Sequence, residues 1–407
     1  MKRRGVPFWF DRFPTSRRPS YPRYRGASEA DVAIVGGGLT GCACAWSFAA
    51  AGIGVTVLEA DRIGAGSTAG AIGLIREDFD GSFQQAASAY GLRASRLLWQ
   101  DLRRASLDLA AAVRRLRIRC DLAPTDLIHF TPRDADAVRR LRREYQARRD
   151  AGLDHTWMTA GRLARECAIE GGAAILTRGA AFDPYRACLG FASAAASHGA
   201  AVHEASAVRR IRAGRKHVDV TTAGGTVRAR AVIVATGAPI PDLRGLRRHL
   251  RPREGYAVVT EPLPAAVRRE LGMRRAALGD SAEPPHFLRW LSDDRVLFAG
   301  ADQDPVPARA RQKALVQRTG QLMYELSTVY PAVSGAQPDW SWAYGHDETV
   351  DGLPYIGTHR NYPRHLFALG HARHGAGVSW LAARVLLRHF QGNPAKGDAM
   401  LGFGRIL

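Results

Sequence analysis

The chain has 407 residues, enough for two or three domains with sizeable buried cores, and 46% hydrophobic residues, an ordinary share for a globular protein. Its formal charge of +20 is carried almost wholly by arginine, because Lys2, Lys216, Lys313 and Lys396 are the only lysines. The arginines are spread in short groups such as Arg139-Arg140 and Arg247-Arg248 between apolar helix positions, so they read as solvated helix faces and exclude a concentrated basic tail or stripe. The five cysteines include no CxxC pair, which argues against a metal site or disulfide framework and suits a reducing compartment.

Lys2-Arg3-Arg4 is followed by an aromatic, proline- and arginine-rich stretch to Gly26. It lacks the apolar core of a signal peptide, so an N-terminal arm on a cytoplasmic protein is expected. No uninterrupted apolar run is long enough to span a membrane, while peripheral attachment stays open. Next comes Asp31 to Gly41, an apolar helical run, and Val55 to Glu59. This order is strand, glycine turn, helix, strand, acid. Gly36 permits a tight turn, Gly38 lets backbone N–H groups approach a pyrophosphate, and Gly41 lets the helix lie close to the strand. Glu59 is placed to accept hydrogen bonds from ribose hydroxyls. The spacing therefore predicts a dinucleotide site.

The loop Gly64 to Gly70 leads into Ile72 to Arg76. From about Ser88 to Arg119 apolar residues recur at helical spacing, followed by a strand at Asp126 to Phe130 and a charged helix at Asp134 to Arg149. Asp183-Pro184 reads as the cap and first turn of a helix through His198. Ala201 to Glu204 is a strand, His217 to Arg230 a hairpin, and Ala231 to Gly237 a buried strand ending in a glycine turn. Tyr256 to Thr260, Phe287 to Trp290 and Arg295 to Ala299 alternate like strands of a separate antiparallel sheet, and Arg309 to Val329 is an amphipathic helix. The last block holds Asp351 to Gly357, the strand His365 to Leu369, a turn from Gly370 to Gly377, and a helix from Val378 to Phe390. That turn puts a helix N-terminus where it could hold negative charge on a reduced flavin.

Taken together and in this order, these segments resemble the D-amino-acid oxidase superfamily of FAD-dependent oxidoreductases, nearest its glycine oxidase, sarcosine oxidase and γ-glutamylputrescine oxidase branches. The carriers are Asp31 to Gly41 with Glu59, Gly64 to Gly70, Phe182 to Tyr185, Ala235 to Gly237, Arg253 to Leu263, Asp351 to Gly357 and Gly370 to Gly377. The resemblance implies an α/β fold in which a doubly wound, glutathione-reductase-like Rossmann domain for FAD is interleaved with an α+β substrate domain on a mixed antiparallel sheet. The expected division is an arm at 1–28, the FAD domain at 29–105, 178–252 and 338–407, and the substrate domain at 106–177 and 253–337. The implied chemistry is oxidation of an amine C–N bond to an imine by hydride transfer to flavin N5, the protein holding the C–H bond over the ring.

For FAD the resemblance and the motifs nominate Gly36, Gly38, Leu39, Thr40, Gly41, Glu59, Ala60, Arg62, Gly66, Ser67, Thr68, Val208, Thr236, Gly237, Gly370, Gly375, Gly377 and Val378. Arg76 is the first choice for anchoring a substrate carboxylate, since its spacing from Gly66-Ser67 matches the sarcosine oxidases and a guanidinium fork suits a carboxylate. Arg289 is the second choice, with His286 and Tyr256 facing the same cavity. His374 matches a family histidine beside the flavin. His371 and Arg373 are bulky where small residues are common, and Arg373 offers another anion contact. Gly377 replaces the lysine that sarcosine oxidases use as a second anchor.

No cysteine lies beyond Cys188, so a C-terminal cysteinyl link is impossible and non-covalent FAD is expected. No lysine lies between Lys216 and Lys313, which removes the oxygen-activating lysine of the family and leaves O₂ and an unidentified electron acceptor both open. The substrate is expected to be a small amino acid or amine. Two alternatives stand beside this: the FAD subunit of a membrane-associated amino-acid or opine dehydrogenase complex, and a flavoenzyme acting on a modified tRNA side chain. No aromatic-basic recognition module is visible, so nucleic acid is not expected as a partner, and no metal is expected.

Overall fold

Val32 to Val35 is apolar at every position and buried on both sides, as a parallel strand requires. In the computed structural model, which describes residues 3–272, 275–371, 373 and 375–405, this run forms the end of the strand Gly26–Val35. It sits at the centre of an eight-stranded sheet. Along the main path the order is Tyr355–His359, Tyr362–Leu369, Gly225–Gly237, Gly26–Val35, Val55–Leu58 and Ala201–His203, all parallel except the first pair. The antiparallel strands Val208–Ala213 and Val218–Thr222 join through Gly225–Gly237. Helices Leu39–Ala50, Pro184–Ser197 and Ala376–Phe390 cover the face carrying Val32 and Ile34, while Val218, Val220 and Val227 close the face carrying Ala33 and Val35. Asp183 caps the second of these helices by accepting from Arg186 N at 2.9 Å, as its Asp-Pro start predicts.

The second sheet has ten strands. Its order is Arg3–Arg4, Pro338–Glu348, Arg251–Thr260, Val296–Gln303, Phe287–Trp290, Ala276–Asp280, Ala123–Thr131, Ala173–Ala181 and Leu74–Ile75, with Thr156–Thr159 also paired to Ala173–Ala181. Most pairs are antiparallel; Ala276–Asp280 runs parallel to Ala123–Thr131. Helix Arg311–Val329 lays Leu315, Leu322 and Leu326 against Tyr256, Val258 and Phe298.

Three expectations change. The helix expected over 88–119 is two helices, Phe83–Tyr90 and Leu92–Arg115, because Gly91 at φ +88° breaks the ladder between them. The hairpin and the buried strand expected over 217–237 share one long strand, Gly225–Gly237. Pro338–Glu348 belongs to the larger sheet, so the change of sheet falls after Glu348, and the boundary expected at 178 cuts the strand Ala173–Ala181. The segment expected as an N-terminal arm packs onto the larger sheet: Arg3–Arg4 pairs with Trp340-Ser341, and Phe8 and Trp9 are buried.

His286 ties the larger sheet to its covering helix. Its Nδ1 lies 2.7 Å from Asp280 and its Nε2 3.0 Å from Glu325. Burial alone would push the imidazole down, but the two carboxylates outweigh it and hold the group above its ordinary value. The bridge therefore contributes fully below the unfolded value of about 6.5 and fades as pH rises through the folded one. Denaturation of wild type and His286→Gln at about pH 5.5 and about pH 9 checks this: the stability gap between them is expected to be wide at the lower pH and narrow at the higher. An equal gap at both would refute the linkage.

Candidate active site

The glycine turn and the loop Gly64 to Gly70 meet at the carboxyl ends of the parallel strands. Gly36 has φ +104°, and a Cβ there would lie 2.7 Å from the Ala235 carbonyl oxygen. A Cβ on Gly41 would lie only 1.9 Å from Gly36 O, so the helix can lie this close to the turn only with glycine. Thr68 Oγ1 accepts from Leu39 N at 3.0 Å and stitches the loop to the helix start. Glu59 accepts from Gly37 N at 2.6 Å and from Asp61 N at 2.8 Å, which fixes its carboxylate at the rim with lone pairs to spare.

These residues border a cleft of about 740 Å³. Gly36, Gly38, Leu39, Thr40, Glu59, Ala60, Gly66, Ser67, Thr68, Val208, Thr236 and Gly237 all line it. A side-chain-free Gly38 beside a helix N-terminus, with a carboxylate on the next strand, is the donor and acceptor set that a dinucleotide needs, so the residues fit FAD. The other six nominated residues do not line the cleft: Gly41 packs the helix against the turn, Gly375 borders the chamber beyond, and four lie elsewhere. Arg62 is exposed outside it. A Cβ on Gly370 would lie 2.7 Å from Thr349 Cγ2, and one on Gly377 would lie 2.3 Å from Ser106 Oγ and 2.9 Å from Arg76 O. Gly377 thus admits the crossing helix Leu92–Arg115, and Val378 is core. All five cysteines are buried, and none lines the cleft.

The cleft continues into a chamber of about 100 Å³ between Leu39-Thr40, the wall Ala71 to Leu74, and the start of the last helix at Gly375. His371 Nδ1 sits 3.1 Å from Thr40 Oγ1, which lies 2.8 Å from Ser379 Oγ. Burial pushes the His371 imidazole down to about 4, so it is neutral. On the opposite side Arg373 bonds both Asp302 and Glu348, and His346 Nε2 lies 3.2 Å from Asp302. Burial would lower His346, yet its contacts with Asp302 and Glu348 raise it above the ordinary value. Asp302, His346 and Glu348 offer ligand atoms within 4.8 Å of one another, but the Arg373 guanidinium already occupies both carboxylates. Arg373 is therefore committed to carboxylates and is not the free anion contact expected. His374 lies outside the described residues.

Past Leu74 a second cavity opens, of about 200 Å³. Arg76 stands at its entrance, with Nη1 3.1 Å from Asp80 Oδ1 and its guanidinium 5.5 Å from the Phe287 ring. Asp80 also accepts from Arg373 N at 3.2 Å, joining the entrance to the chamber. Behind it Arg148 bonds Asp78 at 2.8 Å and Glu144 at 2.7 Å, and Glu144 accepts from Phe83 N and Gln84 N at 2.9 Å each. This network caps the helix Phe83–Tyr90 and holds the loop that follows Arg76.

Arg289 does not meet Arg76 in this cavity. Its Nη1 donates to the carbonyls of Ile72, Gly73 and Phe182, and its guanidinium lies 5.3 Å from the Trp9 ring. Trp9 Nε1 in turn donates to Ala71 O at 2.7 Å. Three consecutive carbonyls of the chamber wall are thus held from behind by the N-terminal segment and one strand of the larger sheet. Burial pushes Arg289 down to about 10, still cationic at neutral pH. Tyr256 is likewise core: its hydroxyl donates to Glu254 and accepts from Gln303 Nε2 at 2.7 Å. His286 is the bridge described above. Arg289→Met takes the side-chain donor from the Ile72 and Phe182 carbonyls, while Gly73 O keeps Phe182 N at 3.0 Å, and is expected to cost about 3 kcal/mol and loosen flavin retention together. Thermal melts and the bound-flavin ratio measure both, and an unchanged pair would exclude the clamp.

A doubly wound sheet with a dinucleotide cleft, opening through a chamber onto a cavity over a mixed sheet, defines a flavin-dependent oxidoreductase. Residues 31–388 match the family model described as FAD dependent oxidoreductase, and the chain belongs to that family. It is 27% identical over 374 residues to γ-glutamylputrescine oxidoreductase of Escherichia coli (strain K12), covering 91% of this chain and 85% of that protein. It is 28% identical over 371 residues to glycine oxidase of Geobacillus kaustophilus (strain HTA426), covering 88% and 91%. The crystal structure of glycine oxidase from Geobacillus kaustophilus superposes with a TM-score of 0.74 over 93% of this chain and all of that one, at 23% identity. L-proline dehydrogenase from P. horikoshii superposes at 0.73, with 19% identity over 93% and 97%. The protein is thus an FAD-dependent oxidoreductase of that family. No helix among the described residues is long and apolar enough to cross a membrane.

Proposed function

We propose that the chain oxidises the C–N bond of a small amino acid or other amine-bearing acid to an imine, with Arg76 as the carboxylate anchor. The carrying observation is the place of Arg76: partly open, at the entrance of a cavity that adjoins the chamber, and joined among the described residues to one exchangeable carboxylate, Asp80. A substrate carboxylate takes the place of Asp80 on the guanidinium fork. When bound, FAD supplies the hydride acceptor. The chain's part is to orient the substrate between Arg76 and the chamber wall, and to keep water from the reacting carbon with Leu74 and Phe287. Gly36, Gly38, Thr40, Glu59 and Thr68 are the residues that would hold the cofactor, without a covalent link.

A second reading, a dehydrogenase that passes electrons to a quinone or partner protein, is favoured by the chamber's cations. Arg373 and His346 are both tied to carboxylates, and the strand Val296–Gln303 presents Asp302 there and no lysine. A fixed free cation is what speeds electron transfer to O₂. Anaerobic mixing of the yellow protein with glycine, sarcosine, proline and D- and L-amino acids tests both. Bleaching by an amino acid supports the activity, and bleaching by none refutes it; reoxidation on admitting air then separates oxidase (fast) from dehydrogenase (slow).

A further inference from the structure

The cavity behind Arg76 contains one titratable side chain with no structural task. His129 projects from the strand Ala123–Thr131, with Ile175 opposite it on one neighbouring strand and Gly279 on the other. Its ring keeps open surface, yet the protein encloses it within the cavity. It forms no hydrogen bond or ion pair among the described residues. Burial, then Arg76 and Arg148, push it down to about 4, so at neutral pH it offers one N–H donor and one nitrogen acceptor.

The space beside His129 exists because its neighbours on the strand opposite Ile175's are small. Ala277 and Gly279 occupy the strand between His129 and Phe287. A Cβ on Gly279 would lie 3.1 Å from Phe287 Cε1 and 3.8 Å from His129 Nδ1. The charges around the far end are already matched, Asp78 and Glu144 with Arg148 and with backbone N–H groups. A second ammonium there would find no free carboxylate, and a second carboxylate no free cation, so either would be desolvated without a partner. An uncharged hydrogen-bonding group would be satisfied.

The geometry points to a side-chain subsite in which His129 hydrogen-bonds the uncharged polar end, an amide or hydroxyl, of a substrate amino acid longer than glycine whose carboxylate rests on Arg76. This rests on the amino-acid reading above and adds the substrate's far end to it. His129 is then a specificity residue, and Gly279 the residue that makes room.

The test uses holoprotein and side chains of similar length, namely glutamine, glutamate, norleucine and ornithine in both enantiomers, with glycine and sarcosine as short references. Glutamine is expected to bleach the flavin at least about tenfold faster than the other three, because each leaves a buried polar group or charge unpaired. His129→Phe is expected to erase the advantage over norleucine. Gly279→Val is expected to slow every long substrate about tenfold or more and spare the short references; if that variant does not hold flavin, Gly279→Ala, the smaller intrusion, is read instead. Binding is measured separately by calorimetry with glutaramic acid, which has the amide and carboxylate but no oxidisable amine, and His129→Phe is expected to weaken it about tenfold. Faster bleaching by glutamate, ornithine or norleucine, or an order of rates and an affinity unmoved by the variants, overturns the subsite while leaving the amino-acid reading intact. Bleaching by dithionite but by no amine overturns both.

Discussion

Replacing Arg76 by alanine is expected to lower kcat/KM by about a hundredfold or more while the flavin spectrum and the melting temperature stay close to wild type. The size follows from removing one member of a partly buried, hydrogen-bonded charge pair, a loss of about 3 kcal/mol when the other member is substrate. The fold should tolerate it. The backbone of Arg76 is held independently, since Ser106 Oγ donates to its carbonyl at 2.6 Å, and among the described residues its side chain has Asp80 as its one ion-pair partner. The loss should fall mainly on KM, because the anchor holds substrate before and during the reaction alike. Arg76→Lys should recover only part of it, as an ammonium keeps the charge and loses the two-pronged geometry. Asp80→Asn should move the other way, with KM falling by about threefold, because the substrate no longer competes with a resident carboxylate in a partly exposed pair. Steady-state kinetics on the three variants measures this. An Arg76→Ala enzyme with wild-type kcat/KM would place the carboxylate elsewhere.

The cofactor cleft was legible because its parts are local. Gly36, Gly38 and Gly41 lie within one turn, Glu59 ends the next strand, and Thr236-Gly237 ends another whose apolar run marks it as central. Each carries its own backbone reason, and the parallel register brings them together. Of the residues that line the cavity beyond the chamber, the sequence singled out Arg76 alone. Arg289 was the second choice from sequence, an arginine between aromatics on a strand, yet cross-strand register sets it opposite Ala277 and Leu297, with its guanidinium behind the wall at Ile72 and Gly73. No local pattern distinguishes those two outcomes. Asp302, His346 and Glu348 were missed for the same reason: Asp302 lies on one strand and His346 and Glu348 on another, and they become a cluster only through pairing with Arg251–Thr260 between them. His129 looked like one polar residue in a short strand, and only Gly279 alongside gives it space. Where the N-terminal arm packs was not legible, because its aromatic and proline richness names no partner: Phe8 stacks edge-on against Trp340 at 5.0 Å and Trp9 reaches the wall carbonyl of Ala71.

Gly41→Val and Gly38→Ala are expected to abolish or weaken flavin binding for different reasons, and the difference identifies the path of the phosphates. At Gly41 even a methyl would lie 1.9 Å from Gly36 O, so the helix Leu39–Ala50 must move off the turn. That shift disturbs the packing of buried Cys42, Ala45 and Phe48, and the protein should emerge colourless and less stable by several kcal/mol, roughly the cost of forcing a well-packed core apart. At Gly38 the nearest atom to an added Cβ is Thr68 Oγ1 at 3.2 Å, a contact that a small side-chain adjustment relieves. Stability should therefore change by less than about 1 kcal/mol. Flavin affinity should still fall by about a hundredfold, because the methyl would stand where the backbone N–H groups at the helix start must meet the pyrophosphate. Denaturant titration of the apoprotein and fluorescence titration with FAD separate the two quantities. A stable Gly38→Ala protein that binds FAD as tightly as wild type would mean that the phosphates do not cross this residue; the cofactor would then have to be held from the Ser67-Thr68 side of the cleft, and the helix start would be a packing element only.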